Sequence, residues 1–197
     1  MKQVKIKKDI FNEIMKTIKG SLAVDNSRPV LKKCKCEVDD KFIKFMSLDG
    51  YCGTILKYEH KCEDVEKFDF LFNIFTVDKD YQGINDVTIE QFDDCISFKW
   101  LDIDNNEIEK KIKIDNSEYV NFGKIIEDNR KKETTTISFH ANMLIRMLKG
   151  FSKKSGDIVK LTFVNNNQIN PMFIKSYDNT FGEIETIVLP VRTFEKE

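Results

Sequence analysis

Proline, histidine and tryptophan are scarce in this 197-residue chain, at three, two and one copies, and its eight glycines are scattered. Without a glycine-rich run there is no loop of the kind that cradles nucleotide phosphates. His60 and His140 are the only histidines, and neither stands beside a Ser or Cys in a nucleophile motif. The sequence therefore does not read as an enzyme. No stretch approaches the roughly 20 apolar residues of a membrane helix, and the opening MKQVKIKKDIF lacks the apolar core of an export signal. The five cysteines, an odd number, then read as reduced thiols of a cytoplasmic protein. Charge of one sign is also missing: 32 Lys and Arg face 33 Asp and Glu, for a net charge of −1. No global positive field recruits nucleic acid, so any DNA contact needs Lys and Arg gathered on one face.

What the chain does have is a core and a pattern. Hydrophobic residues make up 41% and charged residues 33%, and sixteen are Phe. A unit of about 60 residues recurs three times: a short strand, an amphipathic helix, then a run of short strands. The first pass is QVKI, then KKDIFNEIMKTIKGSLA with Asp9 as N-cap and Gly20 near its end, then VLKKCKCEV, FIKFMSL and GTILKYEH. The second is FDFLFNIFTVDKDYQG, read as a short strand and a short helix, then DVTIEQF, CISFKWLDI and EIEKKIKI. The third is TTTISF, the helix HANMLIRMLKGFS, then DIVKLTFV, NPMFIKSY and ETIVLPV. The polar stretch EDNRKKETTT reads as a linker between the second and third passes. Three helices on a strand-rich chain predict an α+β fold with helices on one face of antiparallel sheets.

Positive charge concentrates on two of the helices, at Lys7, Lys8, Lys16 and Lys19 and at Arg146, Lys149, Lys153 and Lys154. This fits a surface facing a polyanion, and it also fits a solvated helix face. Cys34-x-Cys36 and His60-x-Cys62 lack the C-x₂₋₄-C spacing and second pair of a structural zinc site. On a strand, C-x-C puts both sulfurs on one face, for packing. Residues 102–107, DIDNNE, start like a calcium loop but lack Gly at the sixth position and Glu at the twelfth, where Lys113 stands. A hairpin turn is expected there, and no metal or cofactor is expected.

Four segments carry a family resemblance. SRPVL, followed by SLDGY, resembles the RPVL run and TDGHR loop in the middle domain of the bacterial DNA polymerase III beta subunit, the sliding clamp. EYVNFGKIIEDN resembles the FPDYxRVIP segment that closes that domain. ISFHANMLIRMLKGF is similar to the FNxxYLLDAL helix of the clamp's last domain, and INPMFIKSYD…TIVLPVRT to its SPVLIRP…MPVRL ending. By this resemblance residues 1–128 form a complete clamp-like domain of two half-units, 1–62 and 63–128, and residues 129–197 form one further half-domain. Three half-domains stand where the family has six.

The resemblance implies a processivity factor that holds double-stranded DNA without reading its sequence and tethers a polymerase or other replication protein through an apolar peptide groove. One side of that groove would be Leu31, Leu48, Gly50, Tyr51, Cys52, Val120, Lys124 and Ile125. The other would be His140, Met143, Ile169, Pro171, Val188, Leu189, Pro190, Val191 and Arg192. Here Tyr51-Cys52 stands where the family has His-Arg, and Thr193 stands in place of the final Leu. In sliding clamps basic helices line a hole, which casts the eight Lys and Arg above as DNA contacts together with Arg28 of the DNSRPV loop. A salt bridge within the domain is the other reading of Arg28. Twelve half-domains close the family's ring, so four such chains would supply the number, and two chains joined through their third passes would rebuild three domains; a homo-oligomer is expected. The competing reading is a clamp mimic that does not encircle DNA and occupies clamp-binding peptides as a decoy or regulator.

Overall fold

Period-two alternation turns most of the chain into strands, and one helical stripe fills the space between them. The computed structural model describes residues 2–50, 52–79, 85–121, 124, 137–149, 159–163, 172–176 and 185–190. They fall into two compact units, Met1–Ile126 and Glu127–Glu197.

Unit 1 opens with strand β1 (Gln3–Lys7), which buries Val4 and Ile6 and turns Lys5 outward. Helix α1 (Lys8–Lys19) follows at once and buries Phe11, Ile14, Met15 and Ile18, the i, i+3, i+4, i+7 stripe of a helix lying on a core. Asp9 is not its N-cap. The helix begins one residue earlier, Lys7 precedes it without a side-chain cap, and Asp9 lies in the first turn, where its charge still favours the helix N-terminus. A 3-10 turn (Pro29–Lys32) comes next. It shortens the expected strand over residues 30–38, because Pro29 fixes φ and Leu31 donates its amide to Arg28 O at 3.0 Å.

The remaining strands of unit 1 are β2 (Cys34–Val38), β3 (Phe42–Leu48), β4 (Gly53–Glu59), β5 (Phe68–Phe72), β6 (Asp86–Gln91), β7 (Cys95–Leu101) and β8 (Glu107–Lys113). They form two antiparallel four-stranded sheets, ordered β1-β6-β7-β8 and β4-β3-β2-β5. The passes of the sequence are therefore not separate sheets. β1, which opens the first pass, pairs with β6 of the second, Val4 opposite Ile89 and Ile6 opposite Val87. β5, which opens the second pass, pairs with β2 of the first, Phe70 opposite Cys36 and Phe72 opposite Cys34. Each half lends its first strand to the other.

Phenylalanines join the two sheets. Phe98 of β7 lies 5.9 Å from Phe70 and 5.5 Å from Phe72, while Phe11 of α1 lies 6.4 Å from Phe45 and 6.1 Å from Phe98. Edge and tilted contacts at these spacings add to the area the rings bury. Cys34 and Cys36 face this core side by side, and burial pushes the Cys34 thiol up to about 12 and Cys36 upward as well. Both are packing residues. The 102–107 segment is the expected hairpin: Asp102 Oδ1 accepts the amides of Asp104 and Asn106 at 2.8 Å, with Asn105 in the left-handed region at φ 62.

The helix expected after β5 is absent over residues 73–79; the rest of that reading, residues 80–83, lies outside the described residues. Tertiary bonds hold the backbone there instead. Asn12 Nδ2 donates to Val77 O at 3.0 Å and Val77 N donates to Asn12 Oδ1 at 2.9 Å, deep inside the unit. Ile74 and Phe75 pack on the core around them.

In unit 2, helix α2 (Ala141–Leu148) precedes strands β9 (Val159–Phe163), β10 (Met172–Ser176) and β11 (Glu185–Val188), which make an antiparallel sheet ordered β11-β10-β9. Met172, Ile174 and Val188 form a small core with Phe139, Leu144, Leu148 and Val159 packed on it. The two described helices on antiparallel sheets give the α+β class expected from the sequence. Among the described residues, no helix is long and apolar enough to cross a membrane.

Two measurements check this architecture. Expressed alone, residues 1–62 have no partner for β1 and no cover for Cys34 and Cys36. We expect no cooperative unfolding transition until a 63–126 fragment is added; a cooperative 1–62 fragment would contradict the exchange. Burial works to raise the Asp39 carboxyl, but Lys44 and the amides of Phe42 and Lys41 outweigh it and hold its pKa at about 2. A depressed carboxylate stabilises the fold above its unfolded pKa, and that stability is lost as pH falls through the folded one. Unfolding free energy should therefore fall between about pH 4 and 2, and Asp39→Asn should flatten that slope in urea titrations.

Candidate functional site

The residues of unit 1 singled out by sequence gather around two loops. β3 ends at Leu48, half-buried, and the turn to β4 is closed by Asp49, whose amide donates to Cys52 O at 3.1 Å while its Oδ1 accepts the Cys52 amide at 2.7 Å. Gly50 turns this corner at φ 101, a conformation open to glycine and strained for other residues. A Cβ placed there would lie 3.9 Å from Arg28 Nη1. The SRPVL and SLDGY segments, some twenty residues apart in sequence, are thus neighbours in space. Cys52 is exposed, and the Asp49 carboxylate beside its thiol pushes the thiol's pKa up.

Tyr119, which sequence reasoning passed over, ties a third segment to this place. It is half-buried with its hydroxyl beside the Leu48 backbone, and burial pushes its pKa up to about 12. Its neighbour Val120 is exposed, and Asn121 Oδ1 accepts the amide of the exposed Lys124 at 3.0 Å. The signal that could have found Tyr119 is an aromatic closing the polar run DNSEY that follows the last strand of the domain. Lys33 fastens the same segment through an ion pair to Asp115, holding that carboxyl well below the usual range.

In unit 2, His140 O accepts the amides of Met143 and Leu144 at 3.0 Å, so His140 caps α2 through its backbone and leaves its ring exposed. Met143 is exposed on that helix. The final strand stops at Val188, and Leu189 directly after it is 61% exposed, with Pro190 half-buried. Tyr51, Ile125, Ile169, Pro171, Val191 and Arg192 lie outside the described residues.

Two groove assignments need correction. Leu31 is the buried residue of the 3-10 turn, and Val188 is part of the small core of unit 2; neither side chain is available to a ligand. In the RPVL and TIVLP segments the local fold turns Leu31 and Val188 inward, while Leu189 is turned out.

The expected DNA contacts also change. Lys8 is 1% exposed, and its Nζ donates to Asp78 Oδ2 at 2.8 Å and to Leu101 O at 2.6 Å. A buried, paired ammonium cannot reach a phosphate, so Lys8 is a structural residue. Lys7 pairs with Asp86 at 3.0 Å and Lys16 with Glu13 at 2.5 Å. The outer face of α1 carries exposed Asp9 and Glu13 against Lys16 and Lys19, an even balance rather than a basic stripe. Arg28, Arg146 and Lys149 are exposed. Lys153 and Lys154 lie outside the described residues. Among the described residues, no group of three His, Cys, Asp or Glu side chains is placed to hold a metal ion. His60 is buried, with Nε2 at 2.9 Å from Asp39 O.

Neither a protein-family model nor a curated protein sequence matches this chain. Solved structures do. The chain is similar to the DNA polymerase sliding clamp of Bacillus subtilis (TM-score 0.74, 12% identity, covering 95% of this chain and 49% of that one). It is similar to a putative DNA polymerase III beta subunit from Eubacterium rectale (0.75, 14%, 96% and 50%) and to the beta subunit from Thermotoga maritima (0.70, 15%, 96% and 50%). The fold is that of a sliding clamp, and the chain spans about half the length of the structures it matches.

The correction at Lys8 is measurable. Lys8→Ala removes two charge-assisted bonds from a buried place and leaves Asp78 without its cation, which should cost about 2–3 kcal/mol of unfolding free energy in urea titrations.

Proposed function

We propose that this chain is a non-catalytic, sliding-clamp-like processivity factor that tethers a polymerase or another replication protein to double-stranded DNA. It grips the partner through a short apolar peptide. The observation that carries the reading is a clamp fold over nearly the whole chain in which Leu189 stands 61% exposed beside a proline. A large apolar side chain left in solvent is the kind of group that contacts a short apolar peptide. In unit 2, Met143, Leu189 and Pro190 contribute to that binding. Lys19, Arg28, Arg146 and Lys149 supply the contacts to phosphate, which position the protein without reading bases.

The balanced charge on α1 favours a second reading, a clamp mimic that binds the same peptides without encircling DNA. With Lys8 buried and Lys16 paired to Glu13, that helix offers phosphate little, and binding through it would not show the steep salt dependence of a many-contact surface.

Retention on closed circular against linearised DNA separates the two. A processivity factor that encircles DNA stays on the circle and slides off the linear form; equal retention favours the mimic. Leu189→Asp should weaken binding of a clamp-binding peptide by about tenfold or more in fluorescence anisotropy while leaving the urea midpoint in place. Unchanged affinity removes the peptide-binding assignment.

A further inference from the structure

Helix α1 is held to unit 1 unevenly. Along one flank Lys8 and Asn12 bond to Asp78, Leu101 and Val77. The opposite flank packs toward β4, and a groove of about 300 Å³ lies between helix and strand, lined by Asp9, Ile10, Glu13, Ile14, Thr17 and Leu56. Four-residue spacing sorts the helical residues into rows. Asp9, Glu13 and Thr17 form the outer row and Ile10 and Ile14 the inner one, with Leu56 of β4 as the facing wall. Ile14 is buried, Leu56 half-buried and Ile10 39% exposed, so the floor is apolar and open to solvent. Just past the helix, Ser21 Oγ donates to Thr54 Oγ1 at 2.8 Å and ties its end to β4. The outer row keeps its negative charge. Among the described residues Asp9 has no ion pair, and Glu13 pairs with Lys16, both side chains more than 60% exposed. So solvated a pair holds weakly and yields to an arriving cation. The helical period places Lys16 and Lys19 beyond that row, away from β4.

We propose that this groove binds a short extended peptide of the pattern basic–apolar–basic, its apolar side chain on Ile10, Ile14 and Leu56 and its two cations on Asp9 and Glu13. Charge selects that occupant first. A carboxylate lip over an apolar floor attracts a cationic amphiphile and repels phosphate, so nucleic acid has the wrong sign for it. Spacing selects it further. Asp9 and Glu13 stand four helical residues apart, about 6 Å along the axis, and every second side chain of an extended peptide recurs at about 6.4–6.8 Å. Successive side chains of such a peptide point to opposite sides, so the residue between the two cations is directed away from the carboxylates and toward the floor. The volume fits as well: about 300 Å³ is at the small end of ligand sites, enough for one large apolar side chain. This chemistry differs from that of the apolar peptide assigned to unit 2, and the site depends on neither that assignment nor DNA binding.

Fluorescence anisotropy of the labelled peptide GRLRG with the full chain tests it. The expected result is saturable binding with a dissociation constant below about 1 mM, weakened about fivefold or more for GRSRG, which lacks the apolar side chain, and absent for GELEG. Asp9→Asn and Glu13→Gln should each weaken GRLRG by about threefold, and Ile10→Ser should weaken it by about as much. Asp104→Asn, which removes an exposed carboxylate from the hairpin between β7 and β8, should leave it unchanged. Urea titration checks that each variant stays folded; should Asp9→Asn unfold the helix start, Glu13→Gln at the exposed middle of the helix carries the same comparison. Equal affinity for GRLRG and GRSRG overturns the proposal, as does the absence of saturable binding or binding that neither carboxylate substitution weakens.

Discussion

The exchange of first strands between the halves of unit 1 is the constraint on which the rest depends. β1 and β5 are each five residues long, too short to hold a place by themselves, and each gains its hydrogen-bond ladder only in the sheet built by the other half. In return each covers the core-facing row of the strand that accepts it. The thiols of Cys34 and Cys36, the Phe70–Phe98 contact and the stripe of α1 all belong to one continuous core for this reason. Neither half has a core of its own, and the loops at Arg28 and Gly50 inherit their positions from both.

Polar groups fix how α1 lies on that core. Lys8 at its start reaches Asp78 and the Leu101 carbonyl, and Asn12 one turn later takes both backbone groups of Val77. Asp78 also accepts Trp100 Nε1 at 2.8 Å. At the far end Ser47 Oγ donates to Ile18 O at 3.0 Å. These bonds satisfy buried groups that would otherwise cost about 1–3 kcal/mol each. They also take Lys8 out of the surface charge, which leaves the outer face of α1 electrically even.

Strands and hairpins were legible in the sequence because their cues are local. Alternation marked β3, β4, β7 and β8 to within a residue or two, and Asp49-Gly50 and Asp104-Asn105-Asn106 marked the corners between them. What stayed hidden depends on residues distant in the chain. Residues 73–79 read as part of a short helix because nothing nearby announces that Asn12 will bind Val77. Lys8 read as a surface charge because its partners, Asp78 and Leu101, are about 70 and 90 residues away. Leu31 and Val188 carried the right apolar character but the wrong direction, since motif spacing does not say which way a 3-10 turn or a strand end points its side chains. The exchange itself leaves no local trace: QVKI and FDFLF read as strands without naming their sheet.

The pairing of β1 with β6 also sets an order of events during synthesis. Gln3 leaves the ribosome before its partner Glu90, which is made 87 residues later, roughly 4–17 s at ordinary translation speeds. Through that interval the apolar stripe of α1 has no second sheet to cover it. Nascent chains of this protein therefore carry that apolar stripe uncovered for a time, and their yield in a cell depends on what shelters Phe11 and Ile18 until β6 emerges.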